Sequence, residues 1–149
     1  MSDAATTSDL SGRPRPAVNP WARPFWDGAR DGKLLIQRCR ACEKAIFYPR
    51  IACPHCGADD LAWQQACGLG SIYSYTVVLN NAPSAFLREV PYVVAVIRLE
   101  EGVQMLSNIV ECDAGRLACD MPVEVTFRRI DDEFTLPLFR PADPALRED

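Results

Sequence analysis

Histidine is almost missing from this chain of 149 residues: there is one, His55. A Ser-His-Asp or Cys-His machinery needs an imidazole as its base, so any such constellation would have to be built on that single side chain. Acidic residues are plentiful but scattered, and no pair has a spacing that argues for general acid–base work. No apolar run approaches the roughly twenty residues that cross a bilayer. Positive charge is also short: 16 Lys and Arg against 20 Asp and Glu leave a net charge of −4. With a pI near 5.0, nothing draws the whole chain to nucleic acid or anionic lipid. The stretch from Met1 to Pro20 is polar and has no apolar segment of the kind an export signal needs, which predicts a cytoplasmic protein whose cysteines stay reduced.

What is present in quantity is cysteine, seven in all, four of them between Gln37 and Trp63 in QRCRACEKAIFYPRIACPHCGADDLAW. Cys39 and Cys42 form one Cys-x-x-Cys pair and Cys53 and Cys56 a second. A tight turn at that spacing aims two thiolates at one ion, and two such turns on neighbouring strands complete a tetrahedral shell of four sulfurs. The pattern predicts a zinc ribbon. A disulfide pair or a redox Cys-x-x-Cys fits a reducing compartment less well than metal does. Four thiolate ligands close the shell and leave no position for an activated water, so the zinc holds structure and adds folding free energy to a segment too small to make its own core. Cys67, Cys112 and Cys119 read as small buried or surface thiols ahead of nucleophiles.

In chain order, residues 1–19 are rich in Ser, Thr, Ala, Pro and Asp and predict a disordered leader. Residues 20–36 follow, where Pro20 and Pro24 can open a short helix and Gly32 can close it. Trp21, Phe25 and Ala29 fall on one face with Trp26 beside them. That face either covers the protein's own core or forms a docking surface, and the pattern does not choose. Within the ribbon, 37–66, strands are expected at Leu34 to Arg38, Ala45 to Tyr48 and Leu61 to Gln65. Lys33, Arg38, Arg40, Lys44 and Arg50 surround the metal module. They are either a solvated face or, interleaved with Phe47 and Tyr48, a site for phosphates and a flat ring.

From residue 67 to 141 the pattern is β. LGSIYSYTVVL, PYVVAVIRLE, VQMLSNIVE, VEVTFRRI and EFTLPLF are five strand-like segments. Val93, Ala95, Ile97 and Leu99 alternate onto one face, as do Val123, Val125 and Phe127. Turns are expected at Glu101-Gly102 and Asp131-Asp132. Five strands with a long interruption after the third match an OB-fold barrel, whereas an immunoglobulin-like sandwich needs about seven. The fold class is therefore mainly β: a short N-terminal helix, a zinc ribbon and a five-stranded OB-fold. A tail over 142–149 is expected to fray.

The runs PFWDGARDGKLLIQRCRAC, YPRIACPHCG, GSIYSYTVV, PYVVAVIRLEEGVQM, DMPVEVTF and LPLFRPA together resemble the family long known as domain of unknown function thirty-five. The resemblance runs from about Pro24 to Ala142. It implies a non-catalytic accessory subunit that joins a thiolase, a hydroxymethylglutaryl-CoA synthase, or a hydratase or retro-aldolase of steroid side-chain degradation in a hetero-oligomer. The catalytic residues would lie in that thiolase-fold or related acyl-CoA enzyme, and this chain would help hold or channel the acyl-CoA. Such a ligand needs cations for its phosphates, a flat apolar surface for adenine and a narrow groove for its pantetheine arm. By chemistry and proximity alone, Arg38, Lys44, Phe47 and Arg50 are candidates for the first two, and Tyr73, Tyr75 and Tyr92 for the third. Two other readings stand beside this one. Zinc ribbons and OB-folds both bind single-stranded nucleic acid, although the acidic barrel segments argue against a positive track. An acyl-CoA hydrolase or transferase using a spare cysteine is the other.

Overall fold

The computed structural model describes residues 12–147. Of the expected leader, residues 1–11 lie outside that range, while 12–19 run without helix or strand along the barrel. Two arginines fasten them. Arg13 donates from Nε and Nη2 to the Glu89 carboxylate at 3.0 and 2.6 Å and from Nη1 to Asn108 Oδ1 at 3.0 Å. Its guanidinium also lies over the Phe86 ring, 5.0 Å from the centroid. Arg15 reaches Asp131 at 2.8 Å and Glu133 at 2.9 Å. A guanidinium fork meeting a carboxylate gains two aligned charge-assisted bonds, a contribution that average composition does not display.

A 3-10 turn at Pro20–Ala22 leads into helix α1, Arg23–Arg30, which carries Pro24 in its first turn. Gly32, at φ +75°, turns the chain into the ribbon. Phe25 and Ala29 are buried. Trp26 meets Phe25 edge-on at 4.9 Å and Phe134 of the barrel at 5.7 Å, and Phe25 meets Phe47 of the ribbon at 5.5 Å. The helix is thus an apolar wedge between the two modules. The open choice for its aromatic face resolves into a division: Phe25 and Ala29 go to the core, and Trp21 stays 42% exposed.

The ribbon is a three-stranded antiparallel sheet in the order β2-β1-β3, with β1 Leu35–Cys39, β2 Ala45–Ile46 and β3 Leu61–Gln65. The second strand is shorter than its sequence predicts, because the chain leaves the sheet at Phe47 to place that ring against Phe25.

The barrel is closed in the order β4-β5-β6-β8-β7, with β4 Leu69–Val78, β5 Tyr92–Leu99, β6 Gln104–Ile109, β7 Pro122–Arg129 and β8 Thr135–Pro141. This is the OB strand order. β4 pairs with β7 over Leu69, Gly70 and Ser71 and, on its other edge, with β5 from Gly70 to Val78, with a bulge between Ile72 and Ser74. Ile72, Val93, Ala95, Ile97, Leu99, Met105, Ile109, Val123 and Phe139 fill the core; Val93, Ala95, Ile97, Leu99 and Val123 are positions the strand pattern predicts, whereas Val125 and Phe127, expected beside Val123, are half-buried against it. Both expected tight turns are present: Leu99 N–H donates to Val103 O across Glu101-Gly102, and Asp131 Oδ1 accepts from the N–H groups of Glu133 and Phe134. β6 and β8 meet at a single parallel bridge, Ile109 with Phe139, and ahead of it Ser107 Oγ donates across the seam to Pro137 O at 2.9 Å.

Residues 142–147 are held to the barrel by Arg147. It donates to Pro141 O at 2.8 Å and Ala142 O at 3.1 Å and pairs with Glu124. That pair ends a chain of alternating charges running Arg128, Glu111, Arg140, Glu124, Arg147 across the outer barrel wall. No helix among the described residues is long and apolar enough to cross a membrane.

Candidate metal centre and neighbouring grooves

The two knuckles are built alike. In the first, Glu43 N–H donates to Cys39 O at 2.8 Å and Cys39 N–H to Lys44 O at 3.0 Å. In the second, Gly57 N–H donates to Cys53 O at 2.9 Å and Cys53 N–H to Ala58 O at 2.7 Å. Each turn ends on a left-handed residue, Glu43 at φ +65° and Gly57 at φ +81°. The first knuckle ends β1 and the second sits just before β3, so the sheet carries both pairs to one end.

There the four sulfurs converge. Cys39 and Cys56 Sγ are 3.6 Å apart, Cys42 and Cys53 Sγ 3.7 Å, and all four lie within 4.8 Å of one another. Four sulfurs each about 2.3 Å from a central zinc form a tetrahedron with edges of about 3.8 Å, so the site fits that ion. Main-chain N–H groups support the sulfurs: Cys42 N–H points at Cys39 Sγ at 3.5 Å and His55 N–H at Cys53 Sγ at 3.3 Å. Burial opposes charge on Cys53, but the N–H groups of Cys56 and His55 outweigh it and lower the thiol from its ordinary 9.0 to about 6. The Ala58 N–H favours the Cys56 thiolate, yet the crowding sulfur of Cys39, burial and the sulfurs of Cys42 and Cys53 prevail and raise it to about 11. Four thiols so close cannot share several negative charges without a cation between them. When bound, zinc supplies that charge and a rigid crosslink between the two knuckles.

Two grooves flank the ribbon. An apolar one of about 360 Å³ opens beside the seam of β6 and β8. Its walls are the helical segment (Trp21, Phe25, Trp26), the linker Phe47, Tyr48 and Pro49, and the barrel residues Met105, Leu106, Leu136 and Leu138. Trp21, Tyr48 and Leu106 are large apolar side chains left 42%, 52% and 56% exposed around it. The sequence pointed to the helix but not to Leu106 or Leu136, since only the fold brings β6 and β8 opposite the helix. The second groove, about 490 Å³, lies between ribbon and barrel and is polar, with Lys44, His55 and Glu101 among its lining residues.

Among the residues predicted to meet an acyl-CoA, Lys44 and Phe47 share this second groove, and Phe47 faces the first as well. Arg38 lies on the exposed ribbon face, 3.8 Å from Glu43. Arg50 is held through its main chain by Gln37. The three tyrosines do not converge. Tyr75 donates its hydroxyl to Leu117 O at 2.9 Å, Tyr73 lies under Arg98 on the outer barrel surface, and Tyr92 packs on Phe86. The bulge after Ile72 changes the strand's alternation at Tyr73 and so separates it from Tyr75. Of the spare thiols, Cys67 is exposed and donates to Glu100 at 3.4 Å. Desolvation and the carboxylates of Glu100 and Glu101 push its pKa up, the opposite of what a nucleophile needs. Cys112 points its sulfur at Ile109 O, and Cys119 is exposed.

Two family models match in series. The ChsH2 rubredoxin-like zinc ribbon domain covers residues 26–62, and the ChsH2 C-terminal OB-fold domain covers 63–128. The chain is 41% identical over 132 residues to the probable enoyl-CoA hydratase alpha subunit of Thermomonospora curvata, a match that takes in 89% of this chain and 41% of that protein. It therefore spans about two fifths of that relative's length. A DUF35 domain-containing scaffold protein of Methanocaldococcus jannaschii is 37% identical over 101 residues, 67% of this chain and 71% of that one. The solved structure of an Ltp2-ChsH2(DUF35) aldolase superposes with a TM-score of 0.79 at 40% identity, covering 87% of this chain and 100% of that chain. On its sulfur cluster, its barrel order and these matches, the chain belongs to the DUF35 family, in the ChsH2 arrangement of a zinc ribbon followed by an OB-fold.

Proposed function

We propose that this protein is a non-catalytic subunit that docks on an acyl-CoA enzyme, of thiolase fold or a related hydratase or aldolase, and helps hold or channel its acyl-CoA. The observation that carries the reading is the apolar groove at the β6–β8 seam, rimmed by the exposed Trp21, Tyr48 and Leu106. A contiguous apolar surface of this kind marks an interaction site. The names of the relatives support the same direction: one is a hydratase alpha subunit, one a scaffold protein and one an Ltp2-ChsH2(DUF35) aldolase. Chemistry points that way too, because a four-sulfur shell offers no open metal position and the Cys67 thiol is raised. Several barrel arginines are already paired with glutamates or aspartates, which leaves a poor track for a nucleic-acid backbone.

In this reading the acyl-CoA approaches the polar groove between ribbon and barrel. Lys44, with Arg38 and Arg50 nearby in sequence, serves its phosphates, and Phe47 offers a flat surface between the two grooves. Tyr73, Tyr75 and Tyr92 stand on separate surfaces of the barrel, and none of them lines that groove.

A tagged full-length chain recovered from its native host, with bound proteins identified by mass spectrometry and zinc quantified in the same eluate, tests the reading. Recovery of a thiolase-like, hydratase or aldolase subunit with about one zinc per chain supports it. In that complex, replacing Arg38 and Arg50 by Ala should weaken acyl-CoA binding, and unchanged affinity removes both from the site.

A further inference from the structure

Gln37 is one of two buried polar residues among those described, 4% exposed in the middle of β1. Both ends of its amide bond to one distant residue. Nε2 donates to Arg50 O at 2.8 Å, and Oε1 accepts from Arg50 N–H at 2.7 Å. A paired strand would bond to a main-chain residue in the same reciprocal way. The register explains the need: β1 pairs with β2 only at Gln37 with Ile46 and Arg38 with Ala45, and β2 ends at Ile46. Beyond that point the chain loses its ladder, and the side chain of Gln37 takes it up again four residues later. Between Ile46 and Arg50 lie Phe47, Tyr48 and Pro49, a wall of the apolar groove. Three residues past Arg50 is Cys53, the first sulfur of the second knuckle.

We propose that Gln37 is a positioning residue that couples the metal centre to the aromatic wall of the groove, by clamping the main chain at Arg50 between them. Two consequences follow from one geometry. Loosening the clamp frees the second knuckle to move away from the first, which weakens the grip on zinc. Removing zinc frees the same knuckle from the other side and loosens the segment that carries Phe47 and Tyr48. The coupling is a property of the isolated chain and needs no partner, so it stands or falls separately from the docking role.

The test uses the zinc-loaded chain with Gln37→Met, which keeps the length of the side chain and removes both bonds, and Gln37→Asn, which keeps the amide but draws it back from Arg50 by one methylene. Zinc release into excess chromogenic chelator and amide exchange read by mass spectrometry are measured together. Losing two buried bonds should raise the release rate of the methionine variant about tenfold, with the asparagine variant between it and the parent. Exchange over 47–52 should rise in the methionine variant and in the zinc-stripped parent, while exchange over the barrel strand 92–99 stays as it was. Parent-like zinc release in the methionine variant overturns the proposal. Zinc stripping that leaves 47–52 unchanged, or a clamp substitution that loosens the barrel equally, also overturns it. Should the methionine variant fail to fold, the asparagine variant decides alone: faster release supports the clamp and unchanged release ends it.

Discussion

Glu43 occupies a backbone position that its twin in the second knuckle gives to glycine. At φ +65° a side chain with a Cβ pays a steric cost that Gly57, at φ +81°, does not. The ion pair with Arg38 offsets little of it, being 3.8 Å long with both side chains exposed. Glu43→Gly should therefore leave zinc binding intact and raise stability by up to about 1 kcal/mol, measured by thermal unfolding of the zinc-loaded chain. Gly70 is the opposite case. A Cβ there would stand 2.5 Å from Arg98 O, where β4 is paired with β7 and β5 at once. The contact is with main chain and cannot be relieved by turning a side chain, so Gly70→Ala should destabilise the barrel by roughly 1–3 kcal/mol. A variant that unfolds at the parent temperature would show that the strands part there at little cost. The cysteines belong to this scale too: Cys39→Ala leaves three sulfurs, and zinc should be lost on dialysis against a weak chelator that does not strip the parent.

At the scale of elements, the ribbon's stability follows its metal and the barrel's does not. The cluster around the metal consists of Cys39, Cys53 and Ile46 with Cys42, Ala58 and Leu61, too little apolar surface to stand alone, whereas the barrel residues lie in a larger core that also takes in Phe25, Leu34, Ile36 and Ala66. Chelation should loosen exchange in 37–66 and leave the barrel strands protected. The pH dependence has a definite sign. The Cys53 thiol is lowered in the fold from 9.0 to about 6, so its contribution is present in full above 9.0 and is lost as pH falls through about 6. Cys56 is raised to about 11 and must give up its proton to bind the ion, so zinc capture strengthens as pH rises. Chelator competition across about pH 5 to 8 should therefore show zinc affinity falling steadily towards acid; a flat profile would mean that protons and metal do not compete. The metal centre was the most legible element in the chain, because two Cys-x-x-Cys turns state both the ligands and the geometry. The barrel strands were legible for a related reason: Val93, Ala95, Ile97 and Leu99 alternate in sequence as they do in space. The clamp of Gln37 on Arg50 was not, since a lone glutamine in a strand carries no pattern, and neither were the ties of Arg13 and Arg15, which depend on acidic residues far along the chain.

For the whole molecule, the helix sets what the two modules can do together. Phe25 and Trp26 lock ribbon to barrel through Phe47 and Phe134, and this leaves Trp21 and Tyr48 on the rim of a groove that neither module forms alone. The expected acyl-CoA residues divide along the same line. Lys44 and Phe47 lie where ribbon and barrel meet, while the tyrosines, grouped by sequence, are dispersed by the curvature of β4 and the position of β5. Trp21→Ala should weaken capture of the partner enzyme at least tenfold without changing zinc content, because Trp21 is exposed, touches no sulfur and carries the area of an interface anchor.

The most direct measurement sets the purified chain, its partner, and the two mixed side by side, with acyl-CoA binding and turnover followed in each. The chain alone should carry about one zinc and turn nothing over, and adding it to the partner should raise acyl-CoA binding or turnover above the partner's own. Turnover by the zinc-loaded chain alone, or a partner whose binding and rate are indifferent to it, would contradict the accessory role.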